Sequence, residues 1–253
     1  MPLSQSATNM NVNVDQAELD RFAKLASEWW DPNGKFKPLH KIGPARLGFI
    51  RDRLTDHFKL QQRVMRPLAG LSILDIGCGG GLIAEPLSRL GATVTGIEPA
   101  EANIGAAKAH AVSVGLAIDY QATTAETLAL QGRAFDCVIC LEVVEHVPDP
   151  AAFVNVCGSL VRPGGLLILS TINRTLKAYA LAIIGAEYIL RWLPVGTHQW
   201  DRFITPSELD LHVQAAGLNP LTVEGIVFNP LADRWSTGRD TDVNYIGAAA
   251  KPN

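Results

Sequence analysis

Short runs of β-branched and other apolar residues alternate with stretches of helical pattern through the middle of the chain. The five runs are LSILDI, TVTGIE, AIDYQA, FDCVICLEV and GLLILST. Because parallel strands need a crossover connection that is usually a helix, this order predicts an α/β fold with a mostly parallel sheet and helices on both faces. Two later runs, LNPLTVEGIVFN and DVNYIGAAA, predict an antiparallel pair at the sheet edge and bring the sheet to seven strands.

Length and charge limit the classes of protein that fit this pattern. The chain has 253 residues, 47% of them hydrophobic, which is enough to bury one substantial core. Helical patterns at 14–30 and 44–65 precede the first strand. We therefore expect a disordered stretch at 1–13 and a single domain over 14–253, with helices over 14–66. The net charge of −3 argues against a nucleic-acid partner, which would need clustered Lys and Arg.

The cysteines and the first residues indicate a reducing compartment. The start, MPLSQSATNMNVNVDQ, has neither the basic nor the apolar segment of a secretory signal. Cys137 and Cys140 lie three positions apart in one apolar run. That spacing sends their side chains to opposite faces of a strand, which favours two core residues over a zinc or redox pair. We expect reduced thiols and a cytoplasmic protein.

A turn with four glycines in five positions follows the first strand, in the segment ILDIGCGGGLIAEPL. Gly77 and Gly79 allow a sharp turn and the close approach of a ligand, and Glu98 at the end of the second strand can accept both hydroxyls of a ribose. The spacing from Gly79 to Ala84 also matches the G-x-G-x-x-A pattern of dinucleotide sites. Asp75 favours the first interpretation, because a carboxylate beside the turn suits an amino group and disfavours a pyrophosphate.

Two carboxylates and an imidazole follow the fourth strand. Glu142, Glu145 and His146 have i, i+3, i+4 spacing, so one helical turn would place all three on a single face. Such a set suits a divalent ion such as Mg²⁺, Mn²⁺ or Zn²⁺, whose shell a catechol would complete. Alternatively, His146 or Glu145 acts as a general base on a phenol without a metal. The third interpretation is a strand-end turn whose charges only face solvent.

The segment from Ile73 to Gly81 resembles motif I of class I S-adenosylmethionine-dependent methyltransferases. This resemblance implies the Rossmann-like fold of that class, with the glycine turn against the methionyl end of the cofactor and Glu98 on its ribose. The tripeptide Thr124-Ala125-Glu126 similarly resembles the segment that flanks the adenine. Candidate cofactor-binding residues from these segments are Asp75, Gly77, Gly79, Glu98 and Glu126.

Further segments are similar to the ubiquinone biosynthesis O-methyltransferases, over about 14–249. They are FAKLASEWWDP at 22–32, LHKIGPAR at 39–46, EVVEHV at 142–147 and THQWDRFI at 197–204. Members of that family methylate a ring hydroxyl of polyprenylated catechols at two steps. The resemblance implies contacts to S-adenosylmethionine from Arg46, Gly77, Glu98 and Leu141, and a divalent metal held by Glu142, Glu145 and His146.

A polyprenyl substrate raises the question of membrane access. Within an expected insertion at 174–205, the run at 176–193 is apolar and flanked by Lys177 and Arg191. Its uncharged part is shorter than the ~20 residues that span a bilayer. We expect a lid or a contact with membrane-surface lipids at the inner face of the membrane, while a buried helix fits the composition equally well. Other ubiquinone-pathway enzymes are expected partners, and His198 is a base candidate if no metal binds.

Two other functions share parts of this pattern. A nicotinamide-dependent oxidoreductase shares the fold and the glycine turn, but it does not need the cluster of Glu142, Glu145 and His146. A non-catalytic methyltransferase-like subunit would keep the fold and bind no cofactor. The expected activity is that of an S-adenosylmethionine-dependent O-methyltransferase, with another small phenol as the alternative substrate.

Overall fold

The computed structural model describes residues 13, 15, 25–180 and 200–253, and these contain one sheet of eight strands. The strands β1 to β8 are Ser72–Ile76, Thr93–Ile97, Asp119–Gln121, Phe135–Leu141, Val161–Ile172, Asn219–Asn229, Arg234–Gly238 and Asn244–Ala250. Their order across the sheet is β3-β2-β1-β4-β5-β8-β6-β7. β1 to β5 pair in parallel, and β8, β6 and β7 extend the sheet in antiparallel fashion.

Helices connect the parallel strands. Within the described residues, the α-helices α1 to α7 are Lys37–His57, Ala84–Arg89, Glu101–Ser113, Ala125–Leu130, Pro150–Ser159, Leu176–Ala178 and Pro206–Ala215. Short 3₁₀ turns lie at Ala26–Glu28 and Trp200–Arg202. The side chains of Thr124, Asp149 and Thr205 accept backbone hydrogen bonds at the starts of α4, α5 and α7, which satisfies amide groups that a helix leaves unpaired.

Each face of the sheet carries its own buried cluster. Helices α1, α2 and α3 cover one face, and α4, α5 and α7 cover the other. Because strand side chains alternate, Cys137 of β4 belongs to the first cluster and Cys140 to the second, as predicted. Both thiols are free and buried. The mostly parallel sheet with helices on both faces is therefore confirmed.

The number of strands and the bounds of one helix differ from the prediction. The additional strand, β7, lies at the sheet edge with partly exposed residues, so its sequence RWSTG carries no apolar run. Helix α1 begins at Lys37 rather than at Pro44, with Pro38 tolerated in its first turn. It ends at His57, shortly before Lys59 adopts a left-handed φ of 54°.

Several predicted segments lie partly outside the described residues. Of the expected helix at 14–30, residues 14 and 16–24 lie outside, and 26–28 form a 3₁₀ turn. Of the expected disordered stretch at 1–13, only Asn13 is described, and its Oδ1 accepts a hydrogen bond of 2.9 Å from the Asp149 amide. In the runs at 176–193 and 174–205, residues 181–199 lie outside. The described part of the chain contains no helix long and apolar enough to cross a membrane.

The order of the strands determines where a site can form. The chain proceeds from β1 outward to β2 and β3, and then returns to place β4 on the other side of β1. Ligands in such sheets bind at this switch point, beyond the carboxyl ends of the strands. The residues that follow β1, β2, β4 and β5 are therefore the ones to inspect.

Candidate active site

The glycine turn after β1 is fixed to the end of β2. The amides of Gly77 and Cys78 both donate to the Ile97 carbonyl, at 2.9 and 3.0 Å. Gly77 has a φ of +69°, and a Cβ there would lie 2.5 Å from Val143 Cγ2. A side chain at this position would therefore be strained and would also push away the loop that follows β4.

Asp75 is a buried carboxyl group beneath this turn. Burial raises its pKa to about 7, a backbone hydrogen bond from Ala84 opposes that rise, and the charge of Glu98 adds to it. Asp75 Oδ2 is buried and has no hydrogen-bond partner. An unpaired carboxylate oxygen at this place is suited to a cationic ligand.

Glu98 follows β2 and is also buried. Its Oε1 accepts a hydrogen bond of 3.1 Å from the Ala100 amide. Burial raises the pKa of Glu98, while hydrogen bonds from the amides of Ala100 and Gly79 and from the side chain of Asn103 lower it. Glu98, the candidate for the ribose, and Asp75, the candidate for the amino group, therefore interact electrostatically across the ends of β2 and β1.

Three further predicted cofactor residues lie on α4, β4 and α1 and have different surroundings. Glu126, in the first turn of α4, has a buried Oε1 without a partner. Leu141 is the last residue of β4 and packs against the core. Arg46 is buried in α1, and its Nη2 lies 2.7 Å from Glu142 Oε1. In this structure Arg46 therefore contacts a carboxylate of the chain itself.

The loop after β4 does not form the helical turn that the spacing predicted. Glu142 has a left-handed φ of 55°, and α5 begins only at Pro150, after its capping residue Asp149. Besides Arg46, Glu142 Oε1 accepts a hydrogen bond of 2.6 Å from Ser170 Oγ. The expected common helical face of Glu142, Glu145 and His146 is therefore wrong, since the first residue is turned toward α1 and β5.

One carboxylate oxygen of Glu145 accepts a hydrogen bond, and the other has no hydrogen-bond partner. Its Oε2 accepts a hydrogen bond of 2.9 Å from Thr171 Oγ1, and its buried Oε1 has no partner. Burial first and the charge of Glu142 second raise the pKa of Glu145 to about 7, whereas His146 and Thr171 act in the opposite direction. A carboxyl group in this state can exchange a proton near neutral pH.

The predicted metal ligands are close in sequence, but the two carboxylates among them contact different side chains. Among the described residues, no group of three or more His, Cys, Asp or Glu side chains is arranged to hold a metal ion. Glu142 is bound by Arg46 and Ser170, and Glu145 is bound by Thr171. The set as it stands does not fit a metal without rearrangement. His198, the other base candidate, lies outside the described residues.

Sequence reasoning missed Ser170 and Thr171, which orient the two carboxylates. Both lie near the carboxyl end of β5 and are fully buried. The predicted run GLLILST contains them, and two hydroxyl residues at the end of a buried strand were the available signal.

Comparison with known proteins agrees with this fold. A family model described as a methyltransferase domain matches residues 45–223. A solved magnesium protoporphyrin IX methyltransferase from Synechocystis with bound SAH is 22% identical, with a TM-score of 0.63, over 93% of this chain and 95% of that one. A possible histamine N-methyltransferase from Thermotoga maritima gives a TM-score of 0.62 at 18% identity, over 93% and 99%. The fold and the site define a class I S-adenosylmethionine-dependent methyltransferase.

Curated relatives identify the family within this class. A ubiquinone biosynthesis O-methyltransferase of Parvibaculum lavamentivorans is 53% identical over 239 residues, covering 94% of each chain. That of Azorhizobium caulinodans is 54% identical over 236 residues, covering 93% of each. The chain belongs to the ubiquinone biosynthesis O-methyltransferases and is an O-methyltransferase that depends on S-adenosylmethionine.

Proposed function

We propose that the protein transfers a methyl group from S-adenosylmethionine to a ring hydroxyl of polyprenylated catechol or phenol intermediates, at both O-methylation steps of ubiquinone biosynthesis. The observation that carries the proposal is the buried Glu145, whose Oε1 has no partner, in the loop that packs against the glycine turn. Family membership supports the substrate class, because the relatives are named for this pathway.

The residues at the ends of β1 and β2 would bind the cofactor. The bound cofactor supplies an electrophilic methyl group on a sulfonium. We assign the unpaired carboxylate of Asp75 to its ammonium group, Glu98 to its ribose hydroxyls, and Glu126 and Leu141 to the side of the adenine. The positive φ of Gly77 and Gly79, which glycine adopts without strain, produces the sharp turn whose backbone would approach the methionyl end.

Glu145 is our candidate general base. Thr171 holds Glu145 Oε2 in place, so that Oε1 can accept the proton of a substrate hydroxyl. A neutral phenol is a weak nucleophile, and methyl transfer from sulfonium to phenolate brings opposite charges together. A buried, aligned site therefore favours the reaction. His146, the next residue, and His198 are the other base candidates.

The metal ligand set of Glu142, Glu145 and His146 remains a prediction. Two carboxylates and an imidazole suit a hard divalent ion, and Glu145 Oε1 is open, but Glu142 would have to leave Arg46 or share its oxygen. Such an ion would stabilise a phenolate electrostatically.

The test is methyl transfer from labelled S-adenosylmethionine to a short-chain prenylated catechol, after chelator treatment and with Mg²⁺, Mn²⁺ or Zn²⁺ added back. Loss of activity in chelator with recovery on metal addition would support the ligand set. Full activity in chelator would leave Glu145 as a metal-free base. Transfer only to unprenylated phenols would replace the proposed substrate by another small phenol.

Peripheral membrane contact through 176–193 is also proposed. Leu176 is 83% exposed at the start of this run, beside Thr175, which caps α6. An exposed apolar side chain next to a further apolar run suits an interface between protein and lipid. Flotation with anionic vesicles should retain the wild type and release Leu176→Ser in part, with Leu231→Ser, another exposed leucine far along the chain, as the control. Co-purification would test the expected association with other ubiquinone-pathway enzymes.

A further inference from the structure

The glycine turn after β1 is covered by an aromatic side chain of the chain itself. A Cβ at Gly79 would lie 2.5 Å from Trp29 Cζ2, and a Cβ at Gly80 would lie 2.5 Å from Trp29 Cβ. Trp29 is 7% exposed and stacks on Phe36, with ring centroids 3.8 Å apart. The bare backbone at Gly79 and Gly80 therefore admits this indole, and a side chain at either glycine would displace it.

The neighbouring Trp30 fixes one peptide group of the turn. Its Nε1 donates a hydrogen bond of 2.9 Å to the Gly80 carbonyl. The amide of the same peptide group, that of Gly81, donates to the Cys78 carbonyl at 2.9 Å. The carbonyl and the amide of a planar trans peptide point in opposite directions. Trp30 and the hydrogen bond that closes the turn therefore hold this peptide group from both sides.

Without such a hold, this peptide group would rotate easily. It lies between Gly80 and Gly81, and Gly81 has a φ of +92°. Because glycine adopts positive and negative φ about equally readily, a peptide group between two glycines meets little steric resistance to rotation. A turn that fluctuates in this way loses conformational entropy when it binds a ligand, and this loss lowers the affinity. The hydrogen bond from Trp30 removes that freedom before the ligand binds.

Trp30 is itself held by two helices that follow the turn. Its ring stacks on that of His110 in α3, with centroids 3.4 Å apart and an interplanar angle of 8°. His110 Nδ1 lies 2.7 Å from Oε1 of Glu85, a residue of α2 that is 1% exposed. The Glu85 amide donates to the Gly81 carbonyl at 3.0 Å, so this series of contacts returns to the turn. The segment before α1, the helix α3 and the start of α2 thus all meet at the glycine turn.

We propose that Trp30 is a positioning residue for the methionyl end of the cofactor, which acts by holding the Gly80 carbonyl. The inference rests on the proposed function, in which the glycine turn lies against that end of S-adenosylmethionine. It adds a residue from the segment before α1 to the residues at the ends of β1 and β2.

The primary experiment compares Trp30→Phe with wild type. Phenylalanine keeps a ring for stacking on His110 but removes the Nε1 donor. We expect the affinity for S-adenosylhomocysteine, measured by calorimetry, to fall about 3- to 10-fold, which is the range for one lost hydrogen bond. KM for S-adenosylmethionine should rise by a similar factor, with kcat nearly unchanged. Trp235→Phe, in β7 at the edge of the sheet, is the matched control and should leave these values as in wild type.

A second ligand separates positioning of the turn from general loosening of the site. The ligand 5′-methylthioadenosine has the adenine and the ribose of S-adenosylhomocysteine but lacks its amino-acid end. Trp30→Phe should change the affinity for this shorter ligand by less than about twofold, because the turn faces the missing part. Glu98→Gln provides the contrast, since both ligands carry the ribose and both should bind more weakly. Equal weakening of both ligands by Trp30→Phe would overturn the inference.

His110→Ala provides the test if Trp30→Phe does not fold. The His110 side chain is 27% exposed, so its removal leaves little buried space, but Trp30 loses the ring on which it stacks. We expect S-adenosylhomocysteine affinity to fall about 2- to 5-fold, with 5′-methylthioadenosine affinity unchanged. Wild-type affinity for S-adenosylhomocysteine in the folded variant would overturn the inference alone. Failure of the wild type to bind S-adenosylhomocysteine would instead overturn the cofactor assignment, and the inference with it.

Discussion

The cofactor side of the crevice, at the ends of β1 and β2, is held mainly by nearby backbone amides, whereas the substrate side, at the ends of β4 and β5, is held by side chains from distant elements. On the cofactor side, Glu98 accepts from the Ala100 amide, and the amides of Gly77 and Cys78 fix the glycine turn to the Ile97 carbonyl. On the substrate side, Glu142 is held by Arg46 of α1 and by Ser170 of β5.

Because the two sides are held differently, substitutions on each side are expected to have different effects. Among single substitutions, only one by proline removes a backbone amide donor, so the cofactor side should tolerate most side-chain changes with moderate losses of affinity. Side-chain pairs across elements fail when either partner is removed, and the partner left behind is buried. We therefore expect substitutions on the substrate side to have larger effects, on rate and on stability.

Removal of the candidate base should give the largest effect. Glu145→Gln keeps the shape of the side chain but removes the proton acceptor. We expect kcat to fall by about 10²- to 10⁴-fold, the usual contribution of general base catalysis, with S-adenosylhomocysteine affinity unchanged within about twofold. Stopped-time transfer of a labelled methyl group measures the rate, and Glu224→Gln in β6 is the control. If Glu145→Gln lowered the affinity for S-adenosylhomocysteine as much as it lowers kcat, Glu145 would also contribute to cofactor binding. That result would contradict the division of the crevice into a cofactor side and a substrate side.

The second-largest effect is expected from removal of Arg46, which should lower the free energy of unfolding. Arg46→Met leaves the Glu142 carboxylate without its cation. A fully buried pair would cost about 3–5 kcal/mol. The Glu142 side chain is 21% exposed, so we expect about 2 kcal/mol in urea unfolding. The double variant Arg46→Met with Glu142→Gln should recover part of that loss, because the unpaired charge is gone.

The same helix supplies the control for this experiment. Lys41 of α1 pairs with the exposed Asp233 at 2.8 Å. Lys41→Met should change the free energy of unfolding by less than about 1 kcal/mol, as exposed pairs do. Equal losses in the two variants would mean that burial of the Arg46 pair has no energetic consequence.

On the cofactor side, Asp75 predicts a pH dependence of binding. Its pKa is raised to about 7 by burial, and a bound ammonium group would lower it. Binding therefore releases a proton below pH 7, so affinity for S-adenosylhomocysteine should rise as pH increases from 5.5 to about 7 and then level off. Asp75→Asn should bind about 10-fold more weakly, with a flatter profile.

The ionised Asp75 carboxylate should strengthen cofactor binding but lower the stability of the fold. Because the folded-state pKa is raised above 3.8, the ionised form destabilises the fold, and this cost is present above pH 7. Asp75→Asn should therefore unfold at a higher temperature than wild type at pH 8, although it binds more weakly. Asp119→Asn, at the exposed start of β3, should change neither property. A lower unfolding temperature for Asp75→Asn would contradict the assignment of a destabilising charge.

The same contrast explains how far the sequence predicted the molecule. The parallel strands, the glycine turn and Glu98 follow local patterns whose meaning does not depend on distant residues. The helical turn for Glu142 to His146 was wrong because spacing does not reveal that Glu142 adopts a left-handed φ. Its partners Arg46 and Ser170 are joined to it only by the fold, as is the contact of Trp29 with the glycine turn.

The smallest expected effect tests whether side-chain positioning is needed on the substrate side at all. Thr171→Val keeps the shape of the side chain and removes the hydroxyl that donates to Glu145 Oε2. We expect kcat to fall about 3- to 10-fold, the range for one hydrogen bond, and Thr171→Ser to restore it. S-adenosylhomocysteine affinity should not change in either variant. If Thr171→Val lowers only the unfolding temperature and leaves kcat as in wild type, Glu145 is oriented by its burial alone. The substrate side would then depend on packing, and only the Arg46 pair would still distinguish it from the cofactor side.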